Sequence, residues 1–344
     1  MAAVERAARW LCVGLAALLC LGGLAWAFTW ADAAARCWPV IGLRYAQPFT
    51  EEQVRQAEEY AAKQADAPDA LWPTFWKEET GTARADGREA AATAVLVRGD
   101  AALVMPARCV RGGLPGAGDE AGCALSRQAA WQLFGADDVV GLAVDWNGRR
   151  YTVRGVWEGN DPVLVLGAAP GAGLVNVDLS GGVRGDEREA ALNFAAAAGL
   201  GTPSQLCYGQ SVAAFARVCC YLPLAVAAAW SLAGAWRASR ALPPVGRQVL
   251  WFAAALAAAL CLPWLLGAMP GWLIPARWSD FSFWTTLAQT MRMRVHEWLA
   301  LRPFYKDVQG KQALLCCAGG ILACLACAGW LRRTWTARPS GKRE

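Results

Sequence analysis

Apolar residues in this chain are gathered into long unbroken runs. Trp10–Phe28, Val212–Trp236, Val249–Ala268 and Ala313–Leu331 each run for about 19–25 residues, and at about 1.5 Å per helical residue each matches the roughly 30 Å hydrocarbon core of a bilayer. Three carry no charge, and Arg217 is the only charged residue in the second. The pattern predicts four transmembrane helices.

Between the first two runs the pattern shortens and alternates. Ser126 precedes a helical run, Arg127–Phe134, with Ala129, Ala130, Leu133 and Phe134 on one face, and Gly135 stops it. Leu142, Val144 and Trp146 alternate with polar or small residues as a half-buried strand does. Asn147-Gly148 supplies a two-residue turn, and Tyr151, Val153 and Val156 form the returning strand. Upstream, Pro39–Pro48 reads as an extended connector, and Thr50 with Gln53 forms a capping box for a helix over Glu51–Lys63. Pro68–Glu79, rich in aromatic residues, reads as packing on the sheet. Ala92–Val97 and Ala101–Met105 read as strands around Gly99-Asp100. Pro162–Leu166 and Leu174–Leu179 read as a hairpin across the loop Gly167–Gly173; Glu187–Ala198 reads as a helix stopped by Gly199.

Charge sets the expected orientation. Arg6 and Arg9 precede the first run; Arg237, Arg240 and Arg247 fill the connection between the second and third; Arg332, Arg333, Arg338, Lys342 and Arg343 follow the fourth. With four spans these lie on one side, and basic residues stay in the cytoplasm. The expected order is therefore a cytoplasmic N-terminus (1–9), spans at 10–28, 212–236, 249–268 and 313–331, an extracytoplasmic α+β domain (29–211), a cytoplasmic loop (237–248), an extracytoplasmic loop (269–312) and a cytoplasmic tail (332–344). That second outer loop carries Arg277, Arg292, Arg294, Arg302, Lys306 and Lys311, an exception to the rule. An amphipathic helix with Trp284, Leu287, Met291, Val295 and Trp298 on one face, lying on the outer leaflet, accounts for it. The first run also reads as a secretory signal peptide with a small-residue cleavage site at Ala25-Trp26-Ala27.

Composition agrees: 56% of residues are hydrophobic and only 18% charged, against about 25% charged in a soluble domain. The net charge of +5 reports topology, and no basic and aromatic stripe points to nucleic acid. His296 is the single histidine, which excludes histidine-rich zinc sites and argues against a Ser-His-Asp triad. No P-loop motif occurs, and no cofactor is expected. Nine cysteines lie in the spans as small apolar packing residues; Cys37, Cys109, Cys123 and Cys207 lie outside, where disulfides persist. Of three possible pairings, Cys109–Cys123 closes the Gly/Pro loop, and Cys37–Cys207 joins the domain's two ends. Cys316, Gly320, Cys324 and Ala328, like Ala225, Ala229 and Ala233, recur every four residues, as helices do that approach closely within a bundle or a homo- or hetero-dimer.

The order small helix, Leu133-Phe134-Gly135, Asp137-Asp138, Val140-Gly141, strand, Asn147-Gly148 and Tyr151–Val156, with Arg108–Ser126 ahead of it, resembles the periplasmic core domain of MacB/FtsX-like ABC transporter permeases over about residues 93–166. The resemblance implies an α+β extracytoplasmic domain, MacB periplasmic-core-like, on a four-helix transmembrane region. It further implies a non-enzymatic subunit that passes motion from a separate ABC ATPase to the outer domain through the links Thr29–Pro39 and Gly201–Ser211. The ATPase contact then falls on Arg237, Arg240 and Arg247. This sequence departs from the family at that place: Arg237–Gln248 is short, is broken by Pro243-Pro244 and lacks the Glu-Ile-Gly-type coupling helix, while the outer segment 270–312 is longer than usual. A membrane-anchored scaffold or sensor that reuses the domain without ATP coupling is the alternative.

Overall fold

The capping box at Thr50 and the turn at Asn147-Gly148 both form as the residues dictate. Thr50 Oγ1 accepts from Gln53 N at 3.2 Å, Gln53 Oε1 accepts from Thr50 N at 3.0 Å, and helix α2 follows over Glu51–Lys63 with Val54, Ala57 and Ala61 buried. Asn147 and Gly148 take φ of 50° and 77°, the left-handed pair that a tight hairpin requires, between β6 (Ala143–Trp146) and β7 (Arg149–Trp157). The computed structural model describes residues 2–38, 41–182, 187–241, 243–267, 281–300 and 304–336. Pro39, Arg277, Arg302, Arg338, Lys342 and Arg343, named above, lie outside the described residues.

The chain divides into two compact units, one of Arg36–Gln210 with Ala288–Gln309, the other of Met1–Ala35, Ser211–Leu287 and Gly310–Glu344. In the first, the remaining strands are β1 (Ile41–Arg44), β2 (Leu71–Ala85), β3 (Arg88–Arg98), β4 (Cys109–Gly112), β5 (Gly122–Ser126), β8 (Val163–Gly167), β9 (Asn176–Gly181) and β10 (Gln205–Tyr208). Their order is β10-β1-β9-β2-β3-β8-β5-β7-β4, and β6 pairs with both β2 and β7. That double pairing closes a six-stranded ring, β2-β3-β8-β5-β7-β6. Helix α4 (Arg127–Phe134) packs against five strands of the ring, with Ala129, Ala130 and Leu133 fully buried.

Ser126 fixes that helix. Its hydroxyl accepts from Ala129 N and Val163 N, each at 3.1 Å, and donates to Asp161 O at 2.6 Å. Gly135 closes the helix at φ 74°, and α5 (Glu187–Ala197) buries Ala191, Phe194 and Ala195.

Several expectations are corrected. Leu71–Ala85 does not pack on the sheet; it is a strand of it, turned by Asp86-Gly87 (φ 48° and 73°) into β3. Ala101–Val104 is a short helix, α3, because Asp100 caps it by accepting from Ala102 N at 2.9 Å. β8 and β9 do not pair: β8 lies between β3 and β5, and β9 between β1 and β2. The loop after Gly167 is therefore a crossover. Residues 41–44 and 205–208, read as connectors, are strands that pair with each other. The helix expected on the leaflet is α9 (Phe281–Ala300), whose second half belongs to the folded domain: Arg294 lies over the Tyr208 ring and Arg188 pairs with Glu297 at 3.5 Å.

The second unit is helical. Among the described residues three segments are long and apolar enough to cross a membrane: Leu11–Cys37 of α1 (Ala2–Cys37), Ser211–Ser239 of α6 (Gly209–Cys220) and α7 (Leu222–Ser239), and Tyr305–Arg333 of α10 (Tyr305–Thr336). A shorter apolar stretch, Pro244–Leu260, belongs to α8 (Pro244–Gly267). α1 and α10 pack backbone to backbone, since a Cβ on Gly320 would stand 2.9 Å from Gly23 O and 3.1 Å from Ala27 N. This is the use expected of the four-residue repeat at Gly320 and Cys324.

Ser126→Ala removes a cap and orphans the buried Val163 N–H, and should destabilise the domain by about 2–4 kcal/mol. Thermal unfolding of the full-length protein in detergent, followed by near-ultraviolet dichroism of the domain's tryptophans, should show a clearly lower midpoint.

Candidate functional site

On one face of the edge β10-β1-β9, register and residue size together make room for charge. Gly42 on β1 lies opposite Asp178 on β9 and Cys207 on β10, and Arg44, two residues on, faces Asn176 on β9, itself opposite Trp76 on β2. These side chains share one face of the sheet because the strand period is two. Gly42 leaves a gap there, and the Arg44 guanidinium folds back across it. A Cβ at Gly42 would meet Arg44 Nη1 at 2.9 Å, Asp178 Oδ1 at 3.0 Å and Cys207 Cβ at 3.1 Å.

Into this face the first turn of α10 delivers two more charges. Lys306 Nζ reaches Asp178 Oδ2 at 2.5 Å and the Leu103 carbonyl of α3 at 3.0 Å. Arg44 Nη1 donates to Asp178 Oδ1 at 3.0 Å, and Arg44 Nη2 lies 3.8 Å from Asp307 Oδ1. Trp38 Nε1, just past the end of α1, donates to Asp307 Oδ1 at 3.1 Å. Arg44 also stacks over Trp76 at 4.6 Å, and Phe304 meets Trp76 edge-on at 5.2 Å. Tyr305 N donates to Glu78 Oε2 at 2.7 Å.

Arg44 and Lys306 are 4% exposed, and Asp178 and Asp307 are fully enclosed. Two positive and two negative charges balance in a space that excludes water. Burial raises the Asp178 carboxyl, but Lys306 and Arg44 outweigh it and hold the group below its ordinary value. Burial likewise lowers the Arg44 guanidinium, and Asp178 and Asp307 overcome this to raise it. Burial pushes the Cys207 thiol, enclosed beside these charges, up to about 12.

Strand β1 follows α1, strand β10 leads directly into α6, and the β1–β9 face grips the first turn of α10. That edge therefore includes the strand after α1, the strand before α6 and the acceptor for Lys306.

The residues singled out from the sequence are distributed differently. Arg237 lies in the last turn of α7, Arg240 follows that helix, and Arg247 lies in the first turn of α8; all three are exposed. The expected Cys109–Cys123 bridge is corrected: both are free thiols. Cys109 lies opposite Trp157 and Cys123 opposite Val153, on the two strands that flank β7. Two strand spacings of about 4.8 Å already exceed the roughly 7 Å limit between bridged Cα atoms. Cys37 and Cys207 are also free, and both feel the charges of Lys306 and Asp307. Arg44, Asp178 and Asp307 were missed, and Lys306 was counted as a loop charge. A lone Asp inside the apolar strand Asn176–Gly181 was the available signal.

A cleft of about 280 Å³ lies where β3 and β8 end, lined by Glu58, Arg98, Gly99, Asp119 and Gly167 among others. Its charges are mutually satisfied, Arg98 by Glu58 and Glu51, and Asp119 by Arg154. No group of three or more His, Cys, Asp or Glu among the described residues is arranged to hold a metal.

Asp178→Asn leaves two buried cations sharing one carboxylate and should cost about 3–5 kcal/mol. Asp178 titrates below its unfolded value of 3.8. Its contribution is therefore complete above that pH and is lost as pH falls through the folded value. Unfolding followed from neutral pH down through this range should show wild type losing its advantage over the variant. Gly42→Ala should destabilise by roughly 1–3 kcal/mol through overpacking.

No protein-family model and no curated protein sequence matches the chain. Among solved structures it is similar to the periplasmic region of MacB from Actinobacillus actinomycetemcomitans, with 11% identity and a TM-score of 0.41 over 50% of this chain and 90% of that one. It is also similar to the extracellular domain of the noncanonic ABC-type transporter YknZ from Gram-positive bacteria, at 15% identity and a TM-score of 0.38 over 48% and 97%. A permease domain from Porphyromonas gingivalis is similar at 13% identity, with a TM-score of 0.30 over 46% and 79%.

Proposed function

We propose that this chain is the membrane subunit of a MacB/FtsX-type ABC transporter, with four spans in lipid and its folded domain outside the cytoplasm. A separate ATPase drives it, and its own role is to pass motion to the outer domain. The observation that carries this reading is the buried cluster of Arg44, Asp178, Lys306 and Asp307. An apolar helix that only anchored the chain would need no enclosed ion pairs in its first turn. A helix that must move a sheet needs a joint that does not slip. Trp38 extends the joint to the end of α1, which supports the expectation of a stiff link there.

The inner contact in this reading is the α7–α8 turn, where Arg237, Arg240 and Arg247 face solvent and can meet an acidic partner surface. A second reading, a scaffold or sensor without ATP coupling, draws support from the same turn. Only residues 240–243 separate α7 from α8, and no further helix stands between them to serve as a docking element.

The deciding experiment is a pull-down of the full-length protein in mild detergent, probed for an ABC ATPase. Recovery of the ATPase with wild type, and its loss with Arg237, Arg240 and Arg247 all changed to Gln, is the expected result. Reporter fusions after Gly99 and Gln289 should read outside, and those after Arg240 and at the C-terminus inside, in wild type and variant alike. Failure to recover any ATPase with wild type favours the scaffold; an outside C-terminus ends the four-span arrangement.

A further inference from the structure

Four cysteines of the helical unit stand in two facing pairs. Cys20 Sγ lies 3.4 Å from Cys324 Sγ, joining α1 to α10. Cys220 Sγ lies 3.6 Å from Cys317 Sγ, joining α6 to α10. In each pair one thiol is anchored: Cys20 donates to Cys324 O at 3.2 Å, and Cys220 to Ala216 O at 3.3 Å. The helices are held close independently, by the Gly23–Gly320 contact and by Ala27, Ala31 and Ala216, which pack with Cys220, Cys317 and Ile321. Neither pair can drift apart without opening that packing.

Packing alone asks only for small side chains, as Ala27 and Ala31 show. Here two different neighbours each present a thiol to a thiol on one helix, at a separation about 1.5 Å beyond a disulfide bond. Cys317 and Cys324 are seven residues apart, about two turns, so the pairs are separate sites on the same face of α10.

We propose that these pairs are oxidisable staples whose co-reactant is an organic hydroperoxide formed in the surrounding lipid. One thiol attacks the peroxide; its O–O bond breaks, giving a sulfenic acid and the corresponding alcohol. The facing sulfur then attacks the sulfenic sulfur, the S–S bond forms, and the hydroxyl leaves as water with the second thiol's proton. Two thiols and one hydroperoxide give one disulfide, one alcohol and one water, with two electrons passing from sulfur to oxygen. Cys20 is the first thiol to react, because it is half-buried while Cys324, Cys220 and Cys317 are buried. The Cys20–Cys324 staple therefore forms before Cys220–Cys317, and together they fix α10 covalently to α1 and α6.

The inference rests on these helices lying in lipid, which the reporter fusions test separately. Full-length protein in lipid nanodiscs is treated with cumene hydroperoxide, free thiols are alkylated, and the cysteine peptides are mapped by mass. A linked Cys20–Cys324 peptide, lighter by two hydrogens, should appear first and a Cys220–Cys317 peptide later. Cys20→Ser or Cys324→Ser should each abolish the first link and leave the second, with elution on size exclusion unchanged. Four alkylated thiols, a sulfinic or sulfonic acid at Cys20 with no linked peptide, or links among other cysteines would each overturn the proposal.

Discussion

The constraint on which the domain depends is the cost of enclosing charge. Arg44, Asp178, Lys306 and Asp307 lie where water does not reach, and leaving any of them unpaired costs several kcal/mol. Each must therefore be positioned by an element that cannot shift: Arg44 by β1, Asp178 by β9, and Lys306 and Asp307 by the first turn of α10. Three segments far apart in sequence are bound by one electrostatic condition. Gly42 is part of that condition, because only a missing side chain lets the Arg44 guanidinium lie flat between its partners.

The sheet supplies the rigidity this joint requires. An edge of three short strands would flex, but β9 pairs with β2 over Leu71–Trp76, and β2 runs on into the closed ring. The ring is filled by α4, whose small residues let it sit close to the strands and whose start is pinned by three bonds to Ser126. The β10-β1-β9 edge is thus continuous with a closed ring of strands. Trp76 lies at the join, in β2 yet stacked on Arg44, so the charged cluster and the ring share a residue.

Local chemistry was legible in the sequence, and long-range pairing was not. Thr50, Ser126, Gly135 and Asn147-Gly148 act within a few residues of themselves, and each does what its side chain or backbone freedom dictates. β1 and β10 are four residues each and fall in segments that read as connectors; their pairing joins positions more than 160 residues apart, which no periodicity records. Ala101–Val104 has the composition of a short strand, and the Asp100 cap decided otherwise. The charged joint was hidden for a further reason. Lys306 and Asp307 sit in a polar stretch beside a span, where charge ordinarily marks solvent, and only the register of β1 against β9 reveals the acceptor waiting for them.

A buried ionic joint is a poor source of stability, since an apolar cluster of similar volume often holds a fold as well. What it supplies at this place is register. From Ala313 to Leu331 the sequence of α10 is apolar throughout, and Gly320 sets its approach to α1 within the helical unit; the charges act on its first turn, in the folded domain. Sliding α10 by one residue in the domain would turn it by about 100° and advance it by about 1.5 Å. That would withdraw Lys306 from Asp178 and Asp307 from Arg44 and Trp38, leaving both α10 charges enclosed without partners while Arg44 still holds Asp178. A single position of the helix pairs both of its charges. The charges set a discrete stop for the first turn of α10 against β1 and β9.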